Sequence, residues 1–108
     1  LRDVIATSEG GCLVVTARVR GKSANVGQVV LELTETDNGI DCPGCPFHAQ
    51  ERVEFPEGNI NRKLDDSRLM VRHCLLKPGA VYRWRLVVSN IYPGVAPQQS
   101  VVQIFTPR

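Results

Sequence analysis

A seven-stranded antiparallel β-sandwich is the fold this sequence predicts, on three observations. Apolar and polar residues alternate with period two in one segment after another. Turn-forming clusters separate those segments at short, regular intervals. No amphipathic helix of useful length interrupts them.

The segments follow in order. Leu1–Ala6 supplies a first strand. Cys12–Arg20 reads CLVVTARVR, with Leu13, Val15, Ala17 and Val19 on one face and Thr16, Arg18 and Arg20 on the other. Gln28–Thr36 reads QVVLELTET and turns Val29, Leu31 and Leu33 one way, Glu32 and Thr34 the other. Gln50–Phe55 is a weaker candidate. Arg68–Leu76 reads RLMVRHCLL, rich in apolar and branched residues. Tyr82–Asn90 reads YRWRLVVSN and lines one face with Tyr82, Trp84, Leu86 and Val88. Ser100–Thr106 closes the set. Gly10-Gly11, Asn38-Gly39, Pro56–Asn59, Lys77-Pro78-Gly79 and Pro93-Gly94 fall between the runs, where turn chemistry belongs.

The totals fit one domain over residues 1–108. Apolar residues make up 43% and charged residues 22%, the balance of an ordinary globular chain with a real core. A net charge of +2, with both signs interspersed, is too mild to point to nucleic acid or an anionic membrane surface. No apolar run is long enough to span a bilayer. No signal peptide is visible, and the chain opens at Leu1 without Met, as a trimmed or mature fragment would. Membrane attachment is expected only through a lipid anchor outside this chain. Motifs of hydrolytic nucleophiles, zinc proteases, phosphate loops and calcium loops are absent from the sequence, and no cofactor is expected.

The last third carries a resemblance. LKPGAVYRWRLVVSN, followed by PGVAPQQSVVQIFTP, resembles the fibronectin type III family. That family places Leu-x-Pro-Gly-x-x-Tyr before its sixth strand, matched here by Leu76, Pro78, Gly79 and Tyr82. An alternating strand ending in Asn is matched by Trp84, Leu86, Val88 and Asn90. Gly94, Ser100, Thr106 and Pro107 match the hairpin, the serine and the closing Thr-Pro. The resemblance implies a fibronectin type III or immunoglobulin-like sandwich, with the Tyr82 ring in the core and its hydroxyl bonded to upstream backbone. Upstream the match thins. The family's usual tryptophan in the second strand is absent, Leu13, Val15 and Ala17 standing on the equivalent face. Trp84, the one tryptophan, is expected to fill the room that Ala17 leaves. The family usually lacks cysteines, and this chain has four.

The topology implied by the resemblance gathers Cys12, Cys42, Cys45 and Cys74 at one pole of the sandwich. On it Cys12 and Cys74 become outward-facing cross-strand neighbours, and Cys42 and Cys45 close a small ring of their own. Three uses remain open: two structural disulfides in an oxidising compartment, a four-thiolate zinc site on Cys12, Cys42, Cys45 and Cys74 in a reducing one, or a redox-active Cys-Pro-Gly-Cys pair. Haem attachment needs a histidine directly after the second cysteine, and Pro46 stands there. His48 and His73 are secondary ligand candidates. Arg18, Arg20, Arg83 and Arg85 are expected on solvated strand faces, as a shallow basic patch at most.

The function expected from these features is that of a non-catalytic, extracytoplasmic module, periplasmic, lipid-anchored or secreted. It would act as a spacer or as a protein- or glycan-binding unit, and its Cys-Pro-x-Cys-Pro insert is reminiscent of single domains of bacterial exported lipoproteins. The resemblance implies binding through the loops at either pole or through an exposed strand edge. The candidate loop is the hairpin with Ile91, Tyr92, Pro93 and Val95, where a tyrosine among turn residues suits recognition. The competing expectation is that Ile91 and Tyr92 pack onto the end of the sandwich. An adaptor domain stabilised by zinc and a redox-active accessory domain are the alternatives.

Overall fold

The computed structural model describes residues 1–36, 45–56, 60–65, 67–74, 76–92 and 94–107. Among them lie nine strands: β1 (Arg2–Glu9), β2 (Cys12–Arg18), β3 (Val26–Glu35), β4 (Glu51–Glu54), β5 (Asn61–Asp65), β6 (Arg68–His73), β7 (Tyr82–Asn90), β8 (Gln98–Gln99) and β9 (Gln103–Phe105). A single 3₁₀ turn, Ser23–Asn25, precedes β3. The strands form two antiparallel sheets. One has the order β1-β2-β6-β5; the other runs β4-β3-β7-β8, with β9 also paired to β7.

Two differences turn the expected seven strands into nine. β5 is a polar edge strand, NRKLD, whose single apolar residue gives no alternation to detect. The last strand is split. Val87 pairs with Gln99, whereas Trp84 pairs with Gln103, so β7 and its partner slip by one residue between β8 and β9. Ser100 fills the break. Its hydroxyl accepts a hydrogen bond from the Leu86 N–H at 2.8 Å, and its own N–H donates to the Leu86 carbonyl at 2.9 Å. The side chain thus takes over where the regular ladder lapses.

Alternation dictates the core. Leu13, Val15 and Ala17 of β2 and Leu69 and Val71 of β6 meet Leu31 and Leu33 of β3 and Trp84, Leu86 and Val88 of β7 in one apolar cluster. Trp84 and Ala17 are both fully buried in it. Val26 and Val29 both join the cluster although three residues apart, because a register shift between Val26 and Gln28 resets the parity of β3.

The corner before β7 is tied down residue by residue. Gly79 has φ +78°, the left-handed region that glycine enters without penalty. Its N–H donates to the Pro107 carbonyl at 3.0 Å. Tyr82 is buried, and its hydroxyl accepts from the Lys77 N–H at 2.9 Å. The Val81 carbonyl receives both the Thr36 N–H and the Thr36 hydroxyl, at 2.7 and 3.1 Å.

Candidate recognition site

Three connections meet at the end of the molecule opposite the cysteines: residues 19–25 between β2 and β3, Ser67 between β5 and β6, and residues 91–97 between β7 and β8. Backbone bonds hold them together. The Val19 N–H donates to the Ser67 carbonyl at 2.7 Å. Gln98 clasps Arg20 from both sides: its Oε1 accepts from the Arg20 N–H at 2.7 Å, and its Nε2 donates to the Arg20 carbonyl at 3.2 Å.

The β7–β8 connection is anchored in the same way. The Ile91 N–H donates to the Asn25 carbonyl at 2.9 Å, and the Tyr92 N–H to Asn90 Oδ1 at 2.8 Å. Gly27 sits against this turn. A Cβ there would lie 3.0 Å from Ile91 Cγ2 and 3.2 Å from Ile91 Cα, so glycine gives the turn room that any other residue would narrow. The backbone at Ile91 and Tyr92 is therefore held while their side chains project. Ile91, Tyr92 and Val95 are 53%, 57% and 50% exposed, which sets aside the expectation that Ile91 and Tyr92 pack onto the sandwich end. Pro93 lies outside the described residues.

At the same pole lies a cleft of about 440 Å³, lined by Leu1, Arg2, Arg18, Val19, Arg20, Gly21 and Ser67. Arg18 is held on two sides. Its Nη1 donates to the Ser67 hydroxyl at 2.8 Å, and its Nε faces Asp3 Oδ2 at 3.2 Å. Arg2 and Arg20 are exposed. Alternation had marked Arg18 and Arg20 as outward-facing. Their convergence with Arg2 and Ser67 depends on residues far apart in sequence, which no local pattern announces.

At the opposite pole Cys12 and Cys74 form a disulfide. The β2–β6 register explains it. Leu13 pairs with His73, so the next position outward on each strand brings Cys12 opposite Cys74. Cys74 is exposed, but Cys12 is only 5% exposed, so its outward parity does not leave it in solvent. Cys45 is also disulfide-bonded; Cys42 lies outside the described residues. A four-thiolate site needs four free sulfurs, and Cys12 and Cys74 hold theirs in the disulfide. Among the described residues no group of three His, Cys, Asp or Glu side chains could hold a metal ion.

Arg83 and Arg85 correct the expectation of a solvated face. Phe47 lies over both guanidinium groups, its ring centroid 5.7 Å from that of Arg83 and 5.2 Å from that of Arg85. Arg83 is buried, and its Nη2 donates to the Cys45 carbonyl at 2.8 Å. Glu32 bridges Arg85 at 2.6 Å and Arg52 at 3.2 Å, each its direct cross-strand neighbour. The sequence shows the outward parity of these arginines. It does not show the cover, because Phe47 comes from a segment without regular structure.

The histidines part company. His48 is exposed. His73 is buried on the inner face of β6, and its Nε2 finds no hydrogen-bond partner among the described residues. Burial pushes its imidazole below the usual range, against a smaller upward pull from Glu51.

No family model matches the chain, and neither a curated protein nor a solved structure does.

Proposed function

We propose that this domain is a non-catalytic recognition module of an exported protein, built as a fibronectin type III-like sandwich and presenting the β7–β8 hairpin to a protein or glycan partner. One observation carries the reading. Ile91, Tyr92 and Val95 are each at least half exposed, and the first two stand on a backbone bonded to Asn25 and Asn90 and packed against Gly27. A backbone already ordered at Ile91 and Tyr92 loses little further entropy on binding, and a tyrosine has few rotamers to lose, which favours recognition.

The type of sandwich is supported by the Tyr82–Lys77 corner bond and the left-handed Gly79. Export is supported by the Cys12–Cys74 disulfide, which fits an oxidising compartment. A spacer role is compatible with the same architecture, since Leu1 lines the cleft at one pole while Pro107 bonds to Gly79 at the other.

The test is a comparison of the parent domain with Ile91→Ser/Tyr92→Ser, both screened against a displayed random-peptide library and a glycan array. Ligands of the parent should lose about tenfold or more in affinity for the variant. The variant should unfold at the parent's denaturant midpoint, because neither side chain belongs to the apolar cluster. Ligands that bind parent and variant equally would refute the hairpin reading.

A further inference from the structure

We infer that the arginine-lined cleft at the pole of the hairpin is a subsite for the carboxylates of an acidic segment in a protein partner. The inference rests on reading this pole as the recognition surface, and it names the chemistry of what binds there.

Charge comes first. Arg2, Arg18 and Arg20 line one cleft of about 440 Å³. Like charges brought together raise the potential of the space between them and favour an anion there, the more so in a concave wall that excludes part of the solvent. Asp3 pairs with Arg18 and is itself well exposed. Arg20 has the stronger claim to a ligand. The bonds from Gln98 hold its backbone from both sides, so its exposed side chain starts from a fixed point. Gly21 follows at φ +86°, and nothing lies within 4 Å of where its Cβ would be. The lip of the cleft beside Arg20 is therefore open. Ser67 adds a hydroxyl to the lining.

The neighbours choose among anions. A guanidinium takes carboxylate, sulfate or phosphate in the same forked geometry. The aliphatic Ile91 and Val95 beside Tyr92, however, suit an apolar side chain rather than a run of sulfated sugars or nucleotides. The ligand that uses both halves of the pole is a peptide with Asp or Glu next to an apolar residue.

The experiment is an amide NMR titration of the intact domain with sodium glutarate and, separately, sodium sulfate, each against sodium chloride at equal ionic strength. Glutarate should give saturable shifts centred on Val19, Arg20, Gly21 and Ser67. Arg20→Gln should weaken it about tenfold, Arg20→Lys less, and Arg2→Gln should also weaken it. An amide spectrum of unchanged dispersion shows that each variant is folded. Shifts that merely track ionic strength, that scatter over the surface, or that survive Arg20→Gln would overturn the inference. Saturation by sulfate but not by glutarate would overturn the carboxylate assignment. Ile91→Ser/Tyr92→Ser should leave glutarate binding intact while losing the displayed peptides. Glutarate bound in the cleft together with peptides indifferent to that variant would count against the hairpin alone; the converse would count against the cleft alone.

Discussion

Removing the Cys12–Cys74 disulfide should destabilise the domain more than any other change confined to the cysteines. The bond spans a sequence separation of 62 residues. In the chain-entropy model a closed loop of that size contributes about 4 kcal/mol by restricting the unfolded chain. The choice of replacements follows from burial. Cys12 is buried and Cys74 exposed, so Cys12→Ala with Cys74→Ser introduces no buried hydroxyl. With a urea slope of about 1–2 kcal/mol per molar, the unfolding midpoint should fall by about 2–4 M. A four-residue ring closed at Cys45 contributes about 2 kcal/mol in the same model, so replacing Cys42 and Cys45 together should cost less. Urea titrations of the parent, oxidised and reduced, and of both double variants decide the matter. Equal or reversed costs would refute the ordering. Melting by a chelator, with no effect of reductant, would refute the disulfide itself.

The other predictions concern the core and its polar fittings. Trp84→Ala should cost about 3–5 kcal/mol, enough to threaten folding, because Trp84 is fully buried; native tryptophan emission typical of exposed indole would contradict its place. Tyr82→Phe should cost about 0.5–1.5 kcal/mol by removing the acceptor of the Lys77 N–H, with ligand binding unchanged; an unaltered denaturant midpoint would show that the corner bond contributes nothing. His73 predicts a pH dependence. Its folded pKa lies below 6.5, so the unfolded chain takes up the proton first as pH falls. Stability should be fully present above about 6.5, decline below it by at most about 1.4 kcal/mol per pH unit, and level off once the folded imidazole also titrates. His73→Gln should flatten that slope, and a parent whose stability rises on acidification through this range would reverse the sign.

The legibility of this fold follows the regularity of its faces. β7 matches its expected bounds, Tyr82–Asn90, because four core residues alternate there without a break. β3 starts earlier than alternation suggests, at Val26, because the irregularity before Gln28 puts Val26 and Val29 on the same side. Val101 and Val102 read as one continuous strand with Gln103, yet the chain slips there and the Ser100 hydroxyl stands in for the ladder. Turn formers mark the hairpin in the sequence, but the same residues are equally consistent with Ile91 and Tyr92 packing on the sandwich end; their exposure is visible only in the fold. The cleft was not, because Arg2, Arg20 and Ser67 are neighbours only once the strands have paired.

The Cys12–Cys74 link also fixes how far the chain can be drawn out by force. A pull on the two ends can peel β1 from one side and β7, β8 and β9 from the other, since these lie outside the bonded segment. The 62-residue separation between the cysteines, about 210 Å of extended chain, stays closed until the sulfur–sulfur bond is cut. In single-molecule pulling the oxidised domain should therefore lengthen by about that much less than the reduced one. For a protein that holds this domain between two attachment points, the redox state of one bond sets its maximum reach.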